Sequence, residues 1–266
     1  MGIQAIMFDL DDTLLWDDRS VKQAFEATCA YASQRTGADA AELEQAVRRE
    51  ARALYETYET FPFTQMIGIN PFEGLWGNFT AGEHEMFRKL GQIAPDYRRE
   101  AWTRGLAAVG IDDAAFGAEL AEQFPMHRRK LPIAYEETFS VLDELQGKYK
   151  LLLLTNGSPD LQEEKLAMTP ELVPYFDEIV ISGSFGEGKP SPKLFAHALE
   201  RLGLEVGDCI MVGDKLTTDI KGANGVGMIS VWINRHGAVR SDEIVPAYEI
   251  ASLSELPGLA ARLSAE

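Results

Sequence analysis

Two aspartates at the end of a short apolar segment are the residues best suited to chemistry in this chain. Asp9 and Asp11 follow the apolar stretch Ile6–Phe8, which predicts a buried β-strand. The carboxyl ends of strands in open α/β sheets are where such folds bind ligands. A carboxylate there can act as a nucleophile, and a second one two residues later can transfer a proton.

A second strand pattern ends in groups that can hold an anion. The aliphatic run Leu151–Leu154 is followed by Thr155, Asn156 and Gly157. A hydroxyl, an amide and neighbouring backbone N–H groups at a strand end can all donate hydrogen bonds. An anion such as phosphate fits that set of donors.

A lysine and two further aspartates complete the candidate site. Lys189 lies just before a predicted helix that has Ser191 as its N-cap and Pro192 as its first residue, so the ammonium group can be held rigidly. The apolar run that begins at Cys209 leads to Asp214, and Asp219 follows about one helical turn later. Such carboxylates resemble a site for a hard divalent cation, because these cations prefer oxygen ligands.

In order and spacing, these segments resemble the four motifs of the haloacid dehalogenase superfamily of phosphatases. Asp9 to Thr13 is similar to the first motif, Asp-x-Asp-x-Thr, and Thr155 to the second. Lys189 is similar to the third motif, and Gly213 to Asp219 to the fourth, Gly-Asp-x-x-x-x-Asp. Each motif alone is a weak indicator of the superfamily, but the four motifs together, in the expected order and spacing, resemble it closely.

The resemblance implies roles for the carboxylates. Asp9 would attack phosphorus and form an aspartyl-phosphate, while Asp11 would protonate the leaving oxygen and then deprotonate the hydrolytic water. Superfamily members that act on carbon–halogen bonds or phosphonates lack the second carboxylate, because they have no ester leaving group to protonate. Asp11 therefore favours phosphate ester chemistry.

The resemblance also implies a magnesium site and a phosphate site. Mg²⁺ would be held by the Asp9 carboxylate, the Asp11 main-chain carbonyl and the Asp214 carboxylate. The phosphoryl oxygens would be held by three residues, namely Thr155, Asn156 and Lys189. Two residues would support the site from outside: Asp219, which would orient Lys189 or a metal-bound water, and Thr13, which would steady the turn around Asp9.

Composition limits the possible partners and compartments. The 266-residue chain is 45% hydrophobic, enough for one domain with a substantial insertion, and it carries a formal net charge of -17. That charge argues against nucleic acid polymers and anionic membranes as partners. Cys29 and Cys209 form no disulfide framework, and we predict neither a signal peptide nor a membrane span. We therefore expect a cytoplasmic protein, with a monomer as the default.

The spacing between the motifs predicts the architecture. About 140 residues separate Asp11 from Thr155, and the later motifs follow at intervals typical of βαβ units. We predict an α/β protein with a three-layer, Rossmann-like parallel sheet formed by residues 1–16 and 132–266. Residues 17–131 are predicted to form an inserted all-helical cap. Its helices are expected at Val21–Arg35, Ala40–Thr57, Glu83–Leu90, Tyr97–Val109 and Ala114–Phe124.

A helical cap is expected to exclude water and to select the leaving group. The segment Tyr55–Phe79 is rich in aromatic residues and resembles a loop, so it is either a specificity surface or the packing of a small cap core, and packing is favoured. His236 lies after the last predicted strand and is interpreted as a surface loop residue.

These observations together predict a Mg²⁺-dependent phosphatase of a small phosphorylated metabolite, such as a phosphoserine-like amino acid, a sugar phosphate or a nucleotide. A phosphomutase on the same scaffold is the alternative within the superfamily. A binding protein that has lost catalysis is the alternative outside enzymes.

Overall fold

A computed structural model describes residues 2–265, which form two compact units. The first comprises residues up to 17, 134–157 and 169 onward, and the second comprises residues 18–133 and 158–168. Among the described residues, no helix is long and apolar enough to cross a membrane.

The first unit is built on a parallel sheet of six strands in the described part of the chain. The order β3-β2-β1-β4-β5-β6 puts β1 and β4 side by side in the interior, and all neighbouring strands are parallel. The strands are β1 (Ala5–Phe8), β2 (Lys150–Thr155), β3 (Glu178–Ile181), β4 (Cys209–Gly213), β5 (Ile229–Ile233) and β6 (Tyr248–Ile250).

Strand order reverses between β1 and β4, because the chain moves outward to β2 and β3 on one side and to β5 and β6 on the other. Ile6 pairs with Leu151 on one side and with Ile210 on the other, so β1 is hydrogen-bonded along both edges. Open α/β sheets bind ligands at the carboxyl ends of strands where the order reverses. Residues that follow β1 and β4 are therefore in the favoured place for a site.

Helices cover this sheet and form the layers of an α/β fold. They are α7 (Thr138–Leu145), α9 (Ser182–Phe185), α10 (Pro192–Leu202), α11 (Lys221–Val226) and α12 (Leu256–Ala265). Helices α10 and α11 pack Leu194, Phe195 and Ala223 against the buried strand residues Met7 and Met211. The predicted α/β class with a parallel sheet is confirmed.

The second unit consists of helices in the part of the chain that the structure describes. They are α1 (Asp17–Thr36), α2 (Ala40–Tyr55), α3 (Phe61–Ile67), α4 (Pro71–Gly74), α5 (Glu85–Ala108), α6 (Ala114–Arg128) and α8 (Pro159–Met168). Phe25, Trp102 and Phe124 pack together at its centre, with ring centroids 4.5 to 5.9 Å apart. Aromatic rings supply much of the apolar surface buried in this core.

Several predicted boundaries in this unit were wrong. The helices expected at Glu83–Leu90 and Tyr97–Val109 are one helix, α5, which continues through Pro95. Proline removes one backbone hydrogen bond, but the buried neighbours Ala94 and Tyr97 hold the helix in place by packing. The segment Tyr55–Phe79, which resembled a loop, contains the short helices α3 and α4.

Helix α8 belongs to the helical unit, whereas the sequence had assigned residues 132–266 entirely to the α/β domain. Its Lys165 forms an ion pair with Glu73 over 2.9 Å, and both side chains are almost fully buried. Arg129 forms a second ion pair with Glu164 of α8. These long-range pairs attach α8 to helices far away in sequence, and the local sequence pattern does not show such pairing.

Candidate active site

Asp9 lies directly after β1, at the point where the strand order reverses. Its backbone N–H donates to the carbonyl of Val212 on β4 over 3.0 Å, which continues the sheet hydrogen bonding through this residue. The residue is 8% exposed, and its Oδ1 accepts a hydrogen bond from Lys189 Nζ over 2.6 Å. The strand therefore delivers a nearly buried carboxylate that is already paired with a cation.

Lys189 is held in a fixed position by three oxygen atoms. Besides Asp9, its Nζ lies 2.8 Å from Asp219 Oδ1 and donates to the Leu154 carbonyl over 2.7 Å. Burial alone would lower the pKa of Lys189, but the carboxylates of Asp219 and Asp9 raise it above the usual value. The ammonium group therefore remains charged at neutral pH and acts as a fixed positive point charge.

Asn156 fixes the backbone of Lys189. Its Oδ1 accepts from the Lys189 N–H over 2.7 Å, and its Nδ2 donates to the Lys189 carbonyl over 3.0 Å. The sequence assigned Asn156 to phosphate binding, whereas its side-chain amide pairs here with the main chain of the candidate cation. Thr155 is buried at the end of β2.

Three carboxylates gather beside this lysine. Oxygen atoms of Asp9, Asp214 and Asp219 all lie within 4.8 Å of one another. Burial raises the pKa of Asp214 to about 9, and repulsion from Asp9 and Asp219 adds to the effect. Burial also raises the pKa of Asp9, against the opposing attraction of Lys189. The cluster carries more negative charge than Lys189 alone can neutralise.

Thr13 connects the two acidic strand ends. Its Oγ1 lies 3.5 Å from Asp9 Oδ2 and 3.5 Å from Asp214 Oδ1, and it accepts a hydrogen bond from the Asp214 N–H over 3.2 Å. The hydroxyl is fully buried. Thr13 therefore links the turn after β1 to the turn after β4.

Asp219 approaches the sheet closely because residue 213 is glycine. A Cβ on Gly213 would lie 2.3 Å from Asp219 Oδ2, which is far closer than atoms tolerate. The same Oδ2 accepts from the Lys215 N–H over 3.0 Å, and Oδ1 contacts Lys189. Both oxygen atoms of Asp219 are thus engaged within the protein, in a manner that orients Lys189.

The donor set suits a hard divalent cation. All the candidate ligand atoms in this group are carboxylate oxygens, and no histidine or cysteine belongs to it in residues 2–265. Oxygen ligands are those that Mg²⁺ prefers. Burial, and then the carboxylates of Asp9 and Asp219, raise the pKa of Asp214, and a bound cation would lower it again. The residues present therefore fit Mg²⁺.

Sequence reasoning missed two side chains from the end of β5. Trp232 donates from Nε1 to the main-chain carbonyl of Asp214 over 2.7 Å, and Arg235 donates from its guanidinium to the carbonyl of Thr13 over 3.0 Å. Neither residue belongs to a motif that the sequence made visible. His236, next to Arg235, is exposed in the loop.

In the helical unit, the aromatic segment packs the interior. Tyr55, Phe63, Trp76 and Phe79 are all buried in the central cluster of that unit. Arg129 donates to the carbonyl of Trp76 over 3.2 Å, in addition to its pair with Glu164. The favoured reading of this segment as core packing agrees with these contacts.

Comparison with known proteins gives the family. The model of the haloacid dehalogenase-like hydrolases matches residues 3–227, so the chain belongs to that family. It is similar to phosphoserine phosphatase from Thermus thermophilus, with 32% identity over 256 residues that cover 96% of this chain and 98% of the relative. The predicted membership in this enzyme superfamily is therefore confirmed.

Two further similarities were found. Human (Homo sapiens) N-acylneuraminate-9-phosphatase is 42% identical over 181 residues, which cover 66% of this chain and 72% of the relative. The structure of the putative HAD-hydrolase YfnB from Bacillus subtilis superposes with a TM-score of 0.65 at 23% identity, covering 98% of this chain and 99% of that one. The latter similarity shows the shared fold.

Proposed function

We propose that this protein is a Mg²⁺-dependent phosphatase that hydrolyses a small phosphorylated metabolite through an aspartyl-phosphate on Asp9. The observation that carries the proposal is the ion pair of 2.6 Å between Asp9 and the buried Lys189. It lies within the acidic cluster, at the carboxyl end of the central strand. A carboxylate nucleophile held by a fixed cation, with two further carboxylates beside it that can bind a second cation, fits phosphoryl transfer.

The charges explain why the cations are needed. A phosphate monoester repels a carboxylate nucleophile, and two unit charges 4 Å apart repel by about 4 kcal/mol at an effective dielectric constant near 20. Lys189 holds Asp9 Oδ1, and Oδ2, which has only a long contact of 3.5 Å with the Thr13 hydroxyl, is the oxygen that attacks phosphorus. When bound by Asp9, the Asp11 carbonyl and Asp214, Mg²⁺ would supply positive charge to the transferring phosphoryl group.

Hydrolysis through an aspartyl-phosphate has two half-reactions, and one residue can carry the proton in both. Asp9 forms a bond to phosphorus as the ester oxygen leaves, and Asp11 gives that oxygen its proton. Asp11 then accepts a proton from the water that attacks phosphorus, which releases inorganic phosphate and regenerates Asp9. Thr155 and nearby backbone N–H groups stabilise the phosphoryl oxygens during both steps.

The substrate class is supported by the named relatives, which are phosphatases of phosphoserine and of a phosphorylated sugar acid. Both names denote small phosphate monoesters. A net charge of -17 disfavours nucleic acid polymers and anionic membranes as partners. We retain the cytoplasm as the compartment and a monomer as the default state.

Phosphate release from phosphoserine, sugar phosphates, nucleotides and an aryl phosphate, with Mg²⁺ and with chelator, tests the proposal. We expect release that requires the metal. A product that is an isomerised ester instead of free phosphate would favour the phosphomutase alternative. No turnover of any of these compounds under either condition would contradict the assignment of a small-molecule phosphatase.

A further inference from the structure

The turn after β1, residues 10–15, has a backbone that needs support from outside. Asp12 adopts a positive φ of 60°, a region in which residues other than glycine are strained. Inside the turn, the N–H groups of Leu14 and Leu15 both bond to the Leu10 carbonyl over 2.9 Å. Strained backbone of this kind persists only when surrounding groups fix it.

Arg235 provides one of the external contacts. It follows β5 by two residues, and its Nη2 donates to the main-chain carbonyl of Thr13 over 3.0 Å. Its Nη1 forms an ion pair with Glu137, and its guanidinium carbon lies 3.6 Å from the centre of the Tyr135 ring. Only 11% of the side chain is exposed. The guanidinium is therefore fixed by a carboxylate, an aromatic ring and the turn.

Glu137 is itself anchored. Its Oε1 accepts from Ser252 Oγ over 3.1 Å and from the Leu253 N–H over 3.3 Å. Burial alone would raise the pKa of Glu137, but the hydrogen bonds from Arg235 and Ser252 lower it, so the carboxylate is ionised at neutral pH. Arg235 is thus tied to the body of the α/β unit.

We propose that Arg235 is a positioning residue that holds the turn after β1 and, through Thr13, sets the geometry of Asp9 and Asp214. The link runs from the Thr13 carbonyl, which Arg235 holds, to the Thr13 hydroxyl, which lies 3.5 Å from both carboxylates. The consequence for catalysis rests on the proposed phosphatase function. The effect on the turn does not depend on it.

The planar guanidinium suits this task better than an ammonium group. It presents separate N–H groups in fixed directions, so one nitrogen pairs with Glu137 while another reaches the Thr13 carbonyl. It also stacks on Tyr135. Arg235→Lys keeps the positive charge beside Glu137 but loses this simultaneous reach, which separates geometry from charge.

Hydrogen exchange measured on metal-free protein tests the inference without reference to activity. In Arg235→Met and Arg235→Lys, the amides of the segment 9–16 should exchange several-fold faster than in the wild type. Arg240→Met is the matched control, because Arg240 lies in the loop after β5, pairs with Glu249 on β6 and has a side chain that is 76% exposed. Wild-type exchange of this segment in both Arg235 variants, or equal acceleration in Arg240→Met, would overturn the proposal.

Calorimetric titration with Mg²⁺ and steady-state kinetics give the functional consequence. Loss of a group that supports a metal site lowers affinity or activity about 10-fold or more. We therefore expect both Arg235 variants to bind Mg²⁺ about 10-fold more weakly and to lower kcat, with little change in the KM of substrate. A loss confined to thermal stability, with wild-type Mg²⁺ affinity and kcat, would refute the positioning role.

The two proposals can fail separately. If the wild type binds no Mg²⁺ and releases no phosphate, the proposed function is wrong, while the exchange rates of segment 9–16 still decide the role of Arg235. If Arg235→Met does not fold, Arg235→Lys carries the test, because it keeps a cation beside Glu137.

Discussion

Replacing Asp214 by asparagine should stabilise the protein when no divalent cation is present. Oxygen atoms of Asp214, Asp9 and Asp219 lie within 4.8 Å of one another, and Lys189 supplies one positive charge. Two unit charges at such a separation repel by about 3 kcal/mol at an effective dielectric constant near 20. The substitution Asp214→Asn removes this repulsion and keeps the shape of the side chain.

The net gain is smaller than the pairwise repulsion. Lys215 attracts the Asp214 carboxylate, and that attraction disappears with the charge. At pH 8 a carboxyl with a pKa of about 9 is mostly protonated in the folded state, so the wild type loses stability because Asp214 takes up a proton on folding. Asp214→Asn needs no proton, and we expect it to raise the free energy of unfolding by at least about 1–3 kcal/mol in chelator at pH 8. With saturating Mg²⁺ the order should reverse, because the wild type gains binding energy from a ligand that the variant lacks.

The pH dependence of the free energy of unfolding tests the direction of this effect a second time. The pKa of Asp214 is raised from 3.8 to about 9 in the folded protein, chiefly by burial and then by Asp9 and Asp219. A raised pKa means that the folded state holds a proton that the unfolded state has lost, so wild-type stability falls as pH rises across this window. The asparagine variant has no such group at this position, so its advantage should grow with pH.

Urea unfolding followed by circular dichroism, in chelator from pH 5 to pH 9, measures this difference directly. Asp143→Asn is a suitable control, because Asp143 is exposed, lies outside the cluster and accepts a hydrogen bond from Tyr175. An Asp214→Asn variant that is less stable than the wild type in chelator at pH 8 would refute the electrostatic reasoning.

Two further substitutions test close packing and buried charge. Gly213→Ala would put a Cβ 2.3 Å from Asp219 Oδ2, so we expect the free energy of unfolding, measured with urea, to fall by about 1–3 kcal/mol. A variant with the wild-type urea midpoint would show that Asp219 can move away without cost. Lys165→Met removes the buried cation that lies 2.9 Å from Glu73 Oε1 and should lower the free energy of unfolding by about 3–5 kcal/mol. Lys193→Met is the control for Lys165→Met, because Lys193 forms its ion pair with Glu187 at the surface. We expect Lys193→Met to lower the free energy of unfolding by less than about 1 kcal/mol. Similar losses in both variants would contradict the role of burial.

The sequence was most informative where chemistry lies next to a strand end. Asp9 and Asp214 were predicted at the ends of parallel strands and Lys189 just before a helix, and the structure brings all three side chains together. Helix α10 also begins at Pro192 with Ser191 as its N-cap, as its start signals predicted. The apolar pattern and the helix start signals in these segments depend only on residues that are close together in sequence, so the sequence is enough to predict them.

Features that depend on distant partners were not predictable. Helix α8 joins the helical unit through Lys165 and Glu73, which lie far apart in sequence. Strand β6 has only three residues and was not predicted, because so short a segment carries little periodicity. Asn156 was assigned to phosphate from its position at a strand end, and only the fold reveals that its amide pairs with the backbone of Lys189.

The central claim is that Asp9 carries the phosphoryl group. Acid-quenched reactions analysed by intact mass and peptide mapping should detect a phosphoryl group on the peptide that contains Asp9 in the wild type. Asp9→Asn should show no such adduct and no phosphate release, although it retains a folded α/β unit by circular dichroism. Continued phosphate release by folded Asp9→Asn, or a phosphoryl group on another residue, would contradict the account.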